Sequence, residues 1–253
     1  MAKPNHGTSV SGAAEAARNA RTDDGPQGIG PVVSEAARNK GPDFADGVIT
    51  VINADGDTDT FTTFADALIF AEDGAVLQVG QGTYEEAFEL NESVTIVGEN
   101  GAIVDGSGIA PTAGTQSTIE LFEGFSGGSI SGLTVVAIEG GNAVLSIFGE
   151  AVDDITLEGN TFDAGQNTAG SLVYFNPEAT NVDIIDNVFE GALLAASPFL
   201  GIEADNVLVK HNHFGDHPDT YPEVEIFEGA NGTTEDVVLV GNTGLAPGDV
   251  FIV

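Results

Sequence analysis

ITLEGNTF (residues 155–162), VDIIDNVF (182–189), VLVKHNHF (207–214) and VVLVGNTG (237–244) are four copies of one phrase. Aligned on their asparagines, they put Asn160, Asn187, Asn212 and Asn242 in one column, 27, 25 and 30 residues apart. Two positions on, the first three copies carry Phe162, Phe189 and Phe214. ISGLTV (residues 130–135) is a degenerate earlier copy with Leu133 in the asparagine slot. Self-similarity at a period of this size is the mark of a repeat architecture.

A second column runs between these phrases. TIELFEG, AVLSIFG, SLVYFNP, PFLGIEA and EVEIFEG align Phe122, Phe148, Phe175, Ile202 and Phe227 at spacings of 26, 27, 27 and 25. One position earlier stand Leu121, Ile147, Tyr174, Gly201 and Ile226. Two earlier stand Glu120, Ser146, Val173, Leu200 and Glu225, a mixed column that can face water. Each repeat therefore holds two short alternating strands and no helix-length segment. Short strands returning in one direction describe a coil that climbs one strand spacing, roughly 4.8 Å, per turn. The expected fold is all-β, a parallel β-helix or solenoid. Stacked asparagines can pass amide hydrogen bonds from coil to coil, and Asn tolerates the left-handed backbone of a tight corner.

Composition narrows the function classes. The chain has 253 residues, 40 acidic against 6 basic, no cysteine and 34 glycines. Beyond residue 40 the only basic residue is Lys210. Such a surface repels phosphate backbones and anionic lipid, so nucleic acid is excluded as a partner. No apolar run is long enough to span a membrane, and the first 25 residues hold no signal-peptide core.

Residues 1–47 differ from the rest. SGAAEAAR (residues 11–18) and SEAAR (34–38) repeat one phrase without an apolar face, which predicts a flexible or partner-docking arm. Its Arg18 and Arg38 are candidates for meeting an acidic body, its own or a neighbour's. Residues 48–253 form the expected β-helix domain. It begins with a strand over residues 48–53 and an acidic turn. There Asn53, Asp55, Asp57 and Asp59 present oxygens at the spacing calcium loops use, so Ca2+ is the one cofactor to consider. Residues 60–72 (TFTTFADALIFAE) predict an amphipathic helix with Phe61, Phe64, Ala65, Leu68 and Ile69 on one stripe. Three short strands follow over residues 75–106, with corners at 80–82, 91–93 and 99–101.

An amphipathic helix, then DGAVLQVGQGTYEE, then LNESVTIVGENGAIVDG resembles the entry of right-handed parallel β-helix proteins of the pectin-lyase-like superfamily. The resemblance covers about residues 48–253. It implies a right-handed coil whose N-terminal end is plugged by the capping helix. It leaves function open, since this fold serves lyases, hydrolases, esterases, tailspikes and adhesins. Pectate lyases of the superfamily use a basic catalytic residue, and Lys210 alone supplies little of that machinery. The hydrolases' Asn-Thr-Asp, Gly-His-Gly and Arg-Ile-Lys motifs are absent. Gly82-Thr83-Tyr84-Glu85-Glu86 matches the opening Gly-x-Tyr-x-Glu of pectin methylesterases, but their later aspartate and arginine motifs are missing. Tyr84 therefore reads as a packing residue.

KHNHFGDHPD (residues 210–219) gathers His211, His213, Asp216 and His217, a candidate divalent-metal or acid–base group. Asp249-Val250-Phe251-Ile252-Val253 reads as a last strand. An acidic residue before a terminal apolar run also resembles the uncleaved C-terminal signal of type I secretion substrates. Phe251, Ile252 and Val253 are candidates for assembly through an open coil end. Together these features lead to an expected non-catalytic, extracellular or cell-surface β-helix, exported without a cleaved signal peptide. It would self-assemble or adhere as a matrix, filament, surface-layer or appendage component. The alternative is a polysaccharide-binding or polysaccharide-degrading β-helix with a groove around Asp153, Asp154, Tyr174, Asp183 and Asp186. A phage or gene-transfer-particle fibre is a third possibility.

Overall fold

The computed structural model describes residues 44–112, 116–147, 151–165, 170–191, 197–215, 222–227 and 236–252. Arg18, Arg38, Phe148, Asp216, His217 and Val253, and with them all but the last four residues of the expected arm, lie outside these.

The chain enters through β1 (Ile49–Ile52), β2 (Thr58–Phe61) and α1 (Phe64–Phe70). Thereafter it lays down strands in threes. They are β3 (Val76–Val79), β4 (Gly82–Tyr84) and β5 (Phe88–Leu90), then β6 (Thr95–Gly98), β7 (Ala102–Asp105) and β8 (Ser117–Leu121). Next come β9 (Ser129–Ser131), β10 (Thr134–Val136) and β11 (Ala143–Ile147), followed by β12 (Asp153–Glu158), β13 (Thr161–Asp163) and β14 (Val173–Phe175). β15 (Thr180–Ile185), β16 (Val188–Glu190) and β17 (Leu200–Ile202) precede β18 (Asp205–Lys210), β19 (His213–Phe214) and β20 (Val224–Ile226). β21 (Val238–Val240) and β22 (Val250–Ile252) complete the set.

From β3 to β21 every third strand joins the same sheet, and with β1 and β2 on the first and β22 on the third there are three sheets of nine, six and seven strands. From β3 onward all pairing is parallel, so the chain is a parallel β-solenoid. Alternation puts one side of each strand into the shared interior. In β12, β15 and β18 the inward residues Ile155, Val182 and Val207 lie in one row and Leu157, Ile184 and Val209 in the next, all buried. Phe162, Phe189 and Phe214 stack behind one corner at centroid distances of 5.4 and 4.7 Å.

That corner is built by two adjacent columns. Gly132, Gly159, Asp186, His211 and Gly241 occupy equivalent positions at φ of 71°, 64°, 55°, 56° and 67°. This left-handed step turns the next residue inward, and in four of the five cases that residue is the asparagine of the repeated phrase. Asn187 Oδ1 accepts from the Asn160 backbone N–H (2.9 Å) and from Asn160 Nδ2 (3.1 Å). Asn187 Nδ2 donates to the Leu157 carbonyl (2.9 Å) and to Asn212 Oδ1 (3.1 Å). Asn212 repeats the pattern with Asn242, and Leu133 ends the relay by donating its N–H to Asn160 Oδ1 at 3.1 Å. A buried primary amide with all four bonds made is rare without such a repeat.

The entry corrects the sequence expectation. Residues 58–61 are not helical: β2 pairs antiparallel with β1, which is itself antiparallel to β3. β-Branched threonines favour the extended form here, and Thr63, not Asp59 or Thr60, caps the helix by accepting from the Asp66 N–H at 3.2 Å. The apolar stripe is also misplaced. Phe64 and Ala67 are buried, whereas Ala65 is exposed and Ile69 is 85% exposed. Two side chains from outside the helix fix its ends. The Glu86 carboxylate accepts from the Phe64 and Ala65 N–H groups at 2.7 and 3.2 Å. The Asn53 amide donates to the Phe70 carbonyl and accepts from the Glu72 N–H. Tyr84 packs edge-on to Phe64 and donates to the Gly80 carbonyl at 2.9 Å. Burial, with Glu86 and Asp46 nearby, pushes its hydroxyl up to about 12.

The phenylalanine column is out of register as expected from sequence. Phe175 pairs with Ile147, not Phe148. Ile202 pairs with Ile226, not Phe227, and Phe251 pairs with Glu225. The buried column is Leu121, Ile147, Phe175, Ile202 and Ile226, while Phe122 and Phe227 sit half-buried just beyond strand ends. The spacing between coils varies, so residue identity is a poorer guide to register than inward–outward parity.

Replacing Asn187 by leucine strands several buried partners at once. Chemical denaturation is expected to show a loss on the order of 3 kcal/mol. Asn242→Leu, at the half-buried last rung, is expected to cost less. Glu86→Ala is expected to cost about 1 kcal/mol through the lost helix cap.

Candidate functional site

The metal candidates sit apart from one another. Asp55, Asp57 and Asp59 lie on or beside the turn from β1 to β2. The Asp55 carboxylate accepts from the Asp57 N–H at 3.0 Å and Asp59 from the Thr60 N–H at 2.8 Å. Asn53, the fourth oxygen of that pattern, is committed to α1. His211 and His213 do not share a strand face: His211 occupies the left-handed corner, and His213 lies on β19. His211 Nδ1 is 3.8 Å from Asp186 Oδ1, and His213 Nδ1 lies 3.0 Å from Thr243 Oγ1. Among the described residues no three carboxylate or imidazole side chains converge on one point.

The groove expected around Asp153 and Tyr174 does not form. Asp153 and Asp183 lie on strands of the nine-stranded sheet, whereas Tyr174 lies on the seven-stranded one. Asp153 accepts from Thr180 Oγ1 (2.8 Å) and Asn181 Nδ2 (2.6 Å), and Asn206 continues that exposed ladder by donating to Asn181. These polar groups tie one coil to the next.

A different group gathers on the outside of the seven-stranded sheet. Its register lines up Glu89, Glu120, Ser146, Tyr174, Gly201, Glu225 and Phe251 in one outward row. Gly201 has no side chain to cover the sheet between Tyr174 and Glu225. A Cβ there would come within 2.8 Å of Ser171 Oγ and 3.2 Å of the Tyr174 ring. Beside this row opens a cleft of about 380 Å³ lined by Asn142, Gly170, Ser171, Tyr174, Ser197, Pro198, Glu225 and Phe227. Two aromatic rings face a surface of hydroxyls, an amide and a carboxylate.

Each polar group here has a definite state. The Tyr174 hydroxyl donates to Glu203 Oε1 at 2.7 Å, which fixes the ring over the cleft. Burial, and then the bond to the Glu203 carboxylate and its charge, hold that hydroxyl well above the ordinary phenol range. Burial raises the Glu225 carboxyl. No described residue donates a hydrogen bond to it. From sequence, Tyr174 belongs to another groove, Gly201 to its strand column and Glu225 to a mixed column that can face water; the structure brings Tyr174 and Glu225 to one cleft. The signal was present as the alternating outward parity of the five strands β8, β11, β14, β17 and β20.

A second feature lies at the last strands. β21 and β22 are the outer strands of their sheets among the described residues. Val238, Val240, Val250, Phe251 and Ile252 are 52%, 45%, 37%, 55% and 65% exposed.

No family model matches the chain, and no curated protein matches it. Three crystal structures are similar in fold. A protein of Parabacteroides merdae ATCC 43184, provisionally described as a glycosyl hydrolase, is 16% identical over 66% of this chain and 80% of its own, with a TM-score of 0.45. The pectin methylesterase of Aspergillus niger, in two deglycosylated forms, is 16% identical over 78% of this chain and 87% of its own, with TM-scores of 0.42 and 0.40.

The raised Glu225 carboxyl fixes the sign of a stability effect. Its native form holds a proton more readily than the unfolded chain does. Its contribution is therefore fully favourable below the ordinary carboxylate range and is lost as pH rises through the raised value. Glu225→Gln is expected to melt above wild type at neutral pH, with the gap closing on acidification through that range.

Proposed function

We propose that the chain is a polysaccharide-binding β-solenoid of the cell exterior, holding a sugar chain against the outer face of its seven-stranded sheet. The observation that carries this reading is the cleft lined by Tyr174, Glu225 and Phe227. Sugars present apolar C–H faces and a rim of hydroxyls, and the cleft answers both. Tyr174 and Phe227 supply apolar surface, while Asn142, Ser171, Ser197 and Glu225 supply donors and acceptors along the row. The rigid coil stack holds these groups at fixed spacing, so little is spent on ordering them when a ligand binds. Binding, not hydrolysis, is the activity assigned, because Glu203 is engaged by the Tyr174 hydroxyl and Glu225 has no second free carboxylate described beside it in the cleft.

The test is a glycan array followed by calorimetry on the best ligand. Gly201→Val crowds Ser171 and the Tyr174 ring and is expected to abolish binding at some cost in melting temperature, with circular dichroism checking that the coil still folds. Tyr174→Ala is expected to weaken binding by about tenfold. No glycan bound by the wild type, or equal affinity in Gly201→Val, sinks the reading.

The exposed last strands favour a second reading, self-association. Outer strands with exposed apolar side chains are templates for another chain. Each copy carries a net charge of −34, so copies repel at low salt and approach as the charge is screened. Sedimentation is expected to show association that grows with salt and disappears in Phe251→Asp. A monomer at every salt concentration counts against this second reading alone.

A further inference from the structure

We infer that the sugar chain taken by the cleft bears free amino groups, a polymer of amino sugars in the ammonium form, in place of a neutral or uronic-acid glycan. This rests on the polysaccharide reading above and adds the charge of the ligand to it. Three observations carry it. Glu225 lies in the lining of the cleft with no ion pair to any described residue, across Gly201 from Tyr174. The two residues stand two strand spacings apart, roughly 10 Å. A partly buried carboxylate with no partner among the described residues is less favourable to keep charged than one in water, and a cation set against it offsets that.

The second observation is what the cleft lacks. Beyond residue 40 the only basic residue is Lys210, and it projects from β18 in the row of Ile185 and Val240, on the nine-stranded sheet. A uronate carboxylate in the cleft would find no counter-charge among its lining residues. The third is the field of the whole chain. A net charge of −34 lowers the local concentration of polyanions and raises that of polycations. An ammonium near the Tyr174 ring also gains from the negative face of the ring. The burial that raises the Glu225 carboxyl agrees with a site completed by a positive ligand.

Calorimetry with three hexasaccharides at physiological salt separates these charges: a fully deacetylated glucosamine oligomer, its N-acetylated counterpart and an oligogalacturonate. The glucosamine hexamer is expected to bind most tightly and the oligogalacturonate not at all. Glu225→Gln is expected to weaken the glucosamine hexamer about tenfold and to leave the N-acetylated one unchanged. Glu72→Gln, at an exposed acid just past the end of α1 and outside the cleft lining, controls for diffuse attraction and is expected to change nothing. Wild-type binding of the amine ligand is expected to fade on acidification before the ordinary carboxylate range is reached. Equal binding of the N-acetylated hexamer, or equal weakening by Glu225→Gln and Glu72→Gln, overturns the amine inference and leaves polysaccharide binding standing. Absence of binding by all three overturns both.

Discussion

The amide relay from Asn160 through Asn187 and Asn212 to Asn242 is the constraint on which the rest of the solenoid depends. The two inner side chains, Asn187 and Asn212, each close four bonds inside the corner, three of them to the asparagine or backbone of the preceding coil. A slip of one residue between coils would leave those donors and acceptors buried without partners, at about 1–3 kcal/mol for each group. Apolar parity by itself rejects a slip of one residue but not a slip of two. The amide relay rejects both, and so it sets register. The left-handed column ahead of it, Gly132 to Gly241, is the backbone condition for the same corner.

Fixed register on the inside means fixed rows on the outside. Parallel coils place equivalent residues one strand spacing apart, so a functional surface is assembled from one residue per coil without any loop having to fold over it. The stretch of the row from Tyr174 to Glu225 borders such a surface. Its chemistry comes from contrast along the row: an aromatic ring, a bare strand, then a carboxylate. The rest of the lining comes from the segments that lead into these strands, at Asn142, Ser171 and Ser197. The scaffold and the site are thus two sides of one repeat.

That relation explains what was legible in the sequence. A buried polar residue must recur as the same residue, because only another asparagine completes its bonds, so the ladder was visible at once. The sheet behind it needs only apolar character, and Leu121, Ile147, Phe175, Ile202 and Ile226 share no letter pattern. Aligning the phenylalanines slipped two strands by one position. It put Tyr174 and Gly201 into the interior and Val173 and Leu200 onto the outer face. The correct parity joins Glu120, Ser146, Tyr174, Gly201 and Glu225, which is the row that borders the cleft. The entry failed for another reason. TFTTF fits a strand as well as a helix, and the choice was made by the hairpin with β1 and by Glu86, more than twenty residues away.

The charge of the chain is the remaining feature that scaffold alone does not require. Forty acidic residues leave the amide ladder untouched, yet they decide what can approach the outer faces. A crystal structure of the chain with a glucosamine hexamer tests the central claim most directly. The account predicts the sugar chain lying across Gly201, one ring against Tyr174 and an ammonium against the Glu225 carboxylate. A sugar chain bound on the nine- or six-stranded sheet, or a cleft left empty at saturating ligand, would contradict it.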